Sequence, residues 1–266
     1  MSRIAHEPLG TSPRIQQCVG CSSYPLVSII TPVYNGGQYI ADTLQSISGQ
    51  SYPKIQHVIV DACSTDATAS LIKKLRINNL IWIREPDDGI YDAMNKGIKA
   101  SSGKIISILN SDDWYEPNAV ENAVYAFRES SALLIYGAIN RVDGTGKYVS
   151  RTGSKENKPD WAGTPFNHPA CFVCRDVFED IGFFDDRYPT AADYDWMLRF
   201  KNKKKEYGYV DITLTSFRLV GVTGGNNKIP AVQLTRILKK NGFGFPKIIL
   251  GLIWRISAKI TRGYRV

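Results

Sequence analysis

Lys104-Ile105-Ile106-Ser107-Ile108-Leu109-Asn110-Ser111-Asp112-Asp113 is an apolar run of strand length that ends on two adjacent carboxylates. Three shorter runs upstream have the same form. Leu26–Ile30 stops at Thr31-Pro32, Ile55–Val60 stops at Asp61, and Ile81–Ile83 stops at Arg84. Helical spacing lies between them. Tyr39, Ile40, Leu44 and Ile47 end near Gly49; Ser64 or Asp66 caps a segment bearing Ala69, Leu71, Ile72 and Leu75; Gly89–Ala100 forms a third. Strands alternating with helices predict an α/β fold with a mostly parallel, Rossmann-like sheet covered on both faces. In such sheets ligands gather beyond the carboxyl ends of the strands, where Thr31, Asp61, Arg84 and Asp112 all stand.

Further along, Pro117 opens a helix reaching about Phe127, and strands are expected at Ala132–Ile139 and Lys147–Arg151 around Asp143-Gly144. A strand at Ala170–Cys174, helices at Arg175–Ile181 and Ala191–Phe200, and a strand at Thr213–Val220 follow. The expected organisation is an N-terminal extension (1–25), one domain (26–222) with a nucleotide-binding half (26–115) and an acceptor half (116–222), and a C-terminal segment (223–266).

The net charge of +8 resides in that last segment. Nine Lys and Arg and no acidic residue occur from Lys228 to Val266, which leaves 24 basic against 25 acidic residues elsewhere. A near-neutral body argues against nucleic acid as a partner. Within Pro246–Arg262, Ile249, Ile253, Ile256 and Ile260 form one stripe, Arg255, Lys259 and Arg262 another, with Trp254 between. That pattern fits a helix lying in an anionic membrane interface, and equally a helix docked on the domain. No run approaches the roughly 20 apolar residues of a membrane span, and residues 1–17 lack the apolar core of a signal peptide. The expected location is the cytoplasm, peripheral on the inner face of its membrane.

Several side chains admit two readings. Asp112-Asp113 suits a hard cation bridging carboxylate to diphosphate, or a capped turn before Pro117. Asp61 suits a contact to base or ribose, or an Asx-turn. Either Asp193 or Asp195, opening an apolar helix, suits a general base, or a favourable place in a helix dipole. His168 suits an acceptor contact, or a local structural hydrogen bond. Competing nucleotide motifs fail: no G-x-G-x-x-G follows the first strand, and Gly97 to Lys104 has P-loop-like glycines at the wrong spacing with Ile105 in place of Ser or Thr. Cys171 and Cys174 are three apart in an expected strand and so point to opposite faces, which opposes a zinc site shared with Cys18 and Cys21.

Taken together, four ordered segments resemble glycosyltransferase family 2, inverting enzymes of GT-A fold. They are Val27–Asn35, Asp61-Ala62-Cys63-Ser64-Thr65-Asp66-Ala67-Thr68, Glu85–Gly97 and Leu109–Asp113. The third is similar to the donor loop of members that build bacterial surface polysaccharides. The resemblance implies transfer of a sugar from a nucleotide-sugar, a UDP-sugar being expected, with Mn²⁺ or Mg²⁺ as cofactor. It implies a saccharide or polyprenyl-linked saccharide as acceptor. It assigns the nucleoside to Thr31, Tyr34 and Asp61 with Arg84 and Asp88 beside them, metal and ribose to Asp112 and Asp113, and the catalytic base to Asp193. Three positions depart from the pattern: Ala62 replaces a Gly, Asn110 stands at the first carboxylate of D-x-D, and Ala192 replaces a Glu. The rival expectations are a sugar-nucleotide pyrophosphorylase, whose Gly-rich activation loop is missing after Ile30, and a silent carbohydrate-binding module.

Overall fold

The structure, a computed structural model, describes residues 24–75, 78–153, 159–220 and 229–263, with side chains as far as Trp254. All but two residues of the expected N-terminal extension, Cys18 and Cys21 included, lie outside the described residues.

Strand β1 (Val27–Val33) is buried at every position, as a strand covered on both faces must be. It lies between β2 (Ile55–Asp61) and β4 (Ile105–Ile108), both parallel to it, and β3 (Leu80–Arg84) pairs parallel with β2. The order β3-β2-β1-β4 is that of a nucleotide-binding half-sheet. Three helices cross between these strands: α1 (Ile40–Ser48), α2 (Thr68–Lys74) and α3 (Ile90–Ala100). Helix α3 lies close on β1 because Gly97 has no side chain; a Cβ there would meet Ile30 Cγ2 at 2.4 Å. Polar residues inside this sheet are paired. Ser28 donates to Gln56 Oε1 at 2.7 Å, and Thr31 Oγ1 lies 2.9 Å from His57 Nε2. Burial pushes His57 down to about 3, so its ring stays neutral.

The remaining strands are β5 (Trp114–Tyr115), β6 (Leu134–Val142), β7 (Tyr148–Thr152), β8 (Cys171–Cys174) and β9 (Tyr207–Arg218). Here the pairing is mixed: β8 runs antiparallel to both β4 and β6, whereas β6 and β9 are parallel. The β4–β8 ladder fuses both halves into one nine-stranded sheet. Helices α4 (Ala119–Arg128), α5 (Arg175–Ile181) and α6 (Ala192–Asn202) complete this half.

Two C-terminal helices follow, α7 (Ala231–Lys240) and α8 (Phe245–Gly263). Within the expected C-terminal segment (223–266), α7 packs into the main core. Leu234, Ile237 and Leu238 are fully buried in the main core, and Lys240 and Asn241 bond to Asp195 on α6. Helix α8 is docked more lightly, through Ile248 and through Gly251, which lies against the Trp161 carbonyl.

Candidate active site

The loops after β1 and β2 are knitted together by the polar residues that open them. Asn35, in left-handed backbone at φ 51°, donates its N–H to Ser64 Oγ at 2.9 Å and accepts from the Thr65 N–H at 2.9 Å. Gly37 N–H donates to Asp66 Oδ2 at 2.8 Å, while Asp66 Oδ1 takes the Thr68 N–H at the start of α2. Asp61 is fully buried beneath this mesh. Its Oδ1 accepts the Ser64 N–H at 2.7 Å, as an Asx-turn requires. Its Oδ2 is 3.4 Å from Arg84 Nε yet has no hydrogen-bond partner among the described residues. A charge-balanced carboxylate oxygen with an unused lone pair is ready for a ligand's N–H or O–H. Arg84 is half exposed and donates to the Ser64 carbonyl at 2.8 Å, so it holds the turn that presents Asp61. Tyr34 is 66% exposed, its ring open to a base or ribose. Asp88 is exposed in the loop before α3.

Thr31 does not join them. It is fully buried inside β1 with its hydroxyl beside His57, so its side chain belongs to the sheet interior. The assignment of Thr31 to the nucleoside is corrected accordingly.

At the end of β4 the two adjacent carboxylates separate. Asp113 is fully buried and accepts the Arg218 backbone N–H at 2.9 Å, while its own carbonyl takes the Thr43 hydroxyl at 2.7 Å. Its role as a metal ligand is therefore corrected: the carboxylate faces inward and fastens β9 to the turn. Asp112 is only half-buried. Burial raises the carboxyls of both residues, and Asp112's charge pushes Asp113 further up. Beside them the Asn110 amide oxygen is buried without a hydrogen-bond partner among the described residues. A partly desolvated carboxylate with an orphaned amide oxygen is a hard, oxygen-only donor set, so these residues fit Mg²⁺ or Mn²⁺.

Arg218, absent from the sequence reading, organises this turn. It is 3% exposed, lies over the rings of Tyr39 (4.3 Å) and Trp114 (4.9 Å), and donates to the carbonyls of Asp112 and Gly144 and to Asp42 Oδ2. The only available signal was its place as the sole basic residue of β9, at the strand's last position.

The third group comes from α6. Asp193 is in its first turn, half-buried, and Tyr91 Oη donates to its Oδ1 at 2.8 Å. Asp195 is turned away: it is fully buried and bonded to Arg199, Lys240 and Asn241. The structure thus divides the pair, leaving Asp193 toward α3 and Asp195 as a fastening for α7. His168 lies near Asp193, and burial lowers its basicity against the pull of that carboxylate. Its ring meets Phe184 edge-on at 5.8 Å. Asp61 and Asp112 follow strands β2 and β4, and the loops after β1 and β4 touch where Gly36 approaches Ser111. Asp193 reaches the same end of the sheet through Tyr91, in the helix after β3.

A nucleotide-binding half-sheet whose strand ends carry Asp61 and Asp112, joined to a helix bearing Asp193, defines a GT-A fold, and the chain belongs to glycosyl transferase family 2, whose model matches residues 28–182. Among its relatives is the putative teichuronic acid biosynthesis glycosyltransferase TuaG of Bacillus subtilis, 34% identical over 219 residues, covering 79% of this chain and 86% of that one. The chain spans 28% to 61% of the length of four uncharacterized Rickettsia glycosyltransferases that it also matches. S. aureus TarS 1–349 in complex with UDP-GlcNAc superposes with a TM-score of 0.68 at 19% identity, over 87% of this chain and 73% of that one. The mannosyltransferase PcManGT from Pyrobaculum calidifontis, in complex with GDP-Man and Mn²⁺, gives 0.61 at 19% identity, over 94% and 72%.

Proposed function

We propose that this chain is an inverting glycosyltransferase that moves a sugar from a nucleotide-sugar, a UDP-sugar in the first instance, to a hydroxyl of a saccharide or polyprenyl-linked saccharide in bacterial surface-polysaccharide synthesis. The observation that carries the reading is Asp61 Oδ2, buried without a hydrogen bond among the described residues, at the same sheet end as the half-buried Asp112. One oxygen suits a nucleoside and the other a cation-bound diphosphate. The TuaG and TarS likenesses support the substrate class.

In this mechanism Asp61 accepts a hydrogen bond from the base or ribose, Tyr34 packs on it, and Arg84 holds the turn that presents Asp61. Asp112 and the Asn110 amide oxygen would hold a divalent cation, which would supply Lewis-acid stabilisation of the diphosphate's charge. Asp193 takes the acceptor hydroxyl's proton as that oxygen bonds to the anomeric carbon and the nucleoside diphosphate departs with the electron pair. A single displacement inverts the anomeric centre. The test is a screen of sugar nucleotides with Mn²⁺ by thermal melting. A true donor at a hundred times its Kd adds about 2.7 kcal/mol, on the order of 5 °C or more for a chain of this size. No stabilisation by any sugar nucleotide, or product with a retained anomeric configuration, refutes the proposal.

For the acceptor side, we propose that α8 rests on an anionic membrane surface on the cytoplasmic side. Phe245, Ile249, Leu250, Ile253 and Trp254 are exposed along it, and no acidic residue occurs from Lys228 onward. Among the described residues no helix is long and apolar enough to cross a membrane. Sedimentation with phosphatidylglycerol vesicles is expected to capture the full chain and to lose most capture on removal of residues 242–266. Equal capture of both forms would end the proposal.

A further inference from the structure

Tyr91 is a tyrosine placed where bulk alone has no use for a hydroxyl. It is 6% exposed, in the first turn of α3, with its ring 5.7 Å from that of Phe184. Its hydroxyl donates to Asp193 Oδ1 at 2.8 Å across the boundary between the two halves of the fold. Helix α6 has no side-chain N-cap hydrogen bond, so Asp193 is not spent on capping its own helix.

The groups facing Asp193 from neighbouring elements are Tyr91 from α3, His168 from the 3₁₀ turn and Cys171 from β8. Burial keeps each of them neutral: it lowers His168 and raises Tyr91 and Cys171, and Asp193's charge raises both of the latter further. The side chains that face Asp193 are therefore uncharged. Tyr91 supplies a short hydrogen bond from a group that stays protonated across the working pH range.

Resting on the reading of Asp193 as base, we propose that Tyr91 is its positioning residue. By occupying Oδ1, the Tyr91 hydroxyl leaves Oδ2 as the oxygen that receives the acceptor's proton and fixes the carboxylate plane toward the donor sugar. The tie also sets the distance between base and donor, because α3 directly follows the loop in which Gly89, at φ 116°, turns the chain after β3. Asn95, one turn further on, holds α3 to the same neighbour independently: its amide donates to the Phe184 carbonyl at 2.9 Å and accepts the Phe184 N–H at 3.0 Å. Helix placement and base orientation are thus separable by mutation.

Tyr91→Phe keeps the ring and removes only the donor. Loss of a hydrogen bond to a charged group is expected to lower kcat about ten- to a hundredfold, with the donor KM within about twofold. The acid limb of the kcat/KM profile should move, because Asp193 Oδ1 has lost its hydrogen-bond donor. Asn95→Ala serves as control and should lower the melting temperature without moving that limb. Parental kcat and pH profile in a folded Tyr91→Phe protein, or an equal shift in Asn95→Ala, overturns the proposal. Asp193→Asn measured alongside tells the two failures apart. If that variant is dead while Tyr91→Phe is unimpaired, only the role of Tyr91 is lost; if it transfers sugar normally, the base assignment itself is wrong.

Discussion

Asp193→Asn is expected to bind a nucleotide-sugar within about twofold of the parent and to transfer sugar roughly a thousandfold more slowly, the middle of the range for losing a general base. The substitution is nearly isosteric, and its amide oxygen still accepts from Tyr91, which donates to Oδ1 at 2.8 Å. What disappears is the capacity to take a proton. The helix itself loses only a first-turn charge, worth about 0.3–1 kcal/mol. Folding and donor binding therefore act as internal controls, measured by melting and by calorimetry with UDP-sugar and Mn²⁺. Near-parental transfer by the purified variant would remove Asp193 from the mechanism.

Asp112→Ala and Asp113→Ala are expected to fail in opposite ways despite being neighbours. Among the described residues the half-buried Asp112 carboxylate has no ion pair that its loss would strand, so its removal should leave melting within about 0.5 kcal/mol of the parent. Transfer should fall by roughly 10²–10³ as charge stabilisation at the diphosphate is lost, and Mn²⁺ affinity, read by electron paramagnetic resonance, should weaken in parallel. Removing Asp113 instead strands the Arg218 N–H at a fully buried site. That costs about 1–3 kcal/mol, or roughly 2–4 °C of melting temperature for each kcal/mol. Its Mn²⁺ affinity should change far less than that of Asp112→Ala. If both variants lost the ion equally and melted alike, the division between them would be wrong.

The nucleotide half was almost wholly legible, since β1 to β4 are short apolar runs stopped by polar residues and their parallel order follows from the intervening helices. Strand β9 was read too short. It begins at Tyr207, where Gly208 and Asp211 depress strand propensity, and parallel pairing with Leu134–Gly137 overrides that local preference. Inward or outward aim of a carboxylate was not legible at all. Asp112 and Asp113, or Asp193 and Asp195, are equivalent as letters, and what separates them is a partner 105 or 46 positions away in the chain, at Arg218 and Asn241. Thr31 misled for a related reason: a hydroxyl near a strand end serves a ligand or a neighbouring strand alike, and here His57 was opposite. Arg218 belongs to no cluster in the sequence, and Tyr91, though inside Glu85–Gly97, carries no sign there of its partner; each acts over a long separation.

The fastening at Asp195 bears on how the C-terminus can be shortened. Lys240 and Asn241 neutralise and hydrogen-bond a carboxylate with no exposure to solvent, two residues from Asp193. A chain ending before Ala231 would leave that charge satisfied by Arg199 alone and would open the core over Leu234 and Leu238. Helix α7 and the start of α6 thus share one seam, and a cut made there would disturb the fold around Asp193 whatever the C-terminus binds.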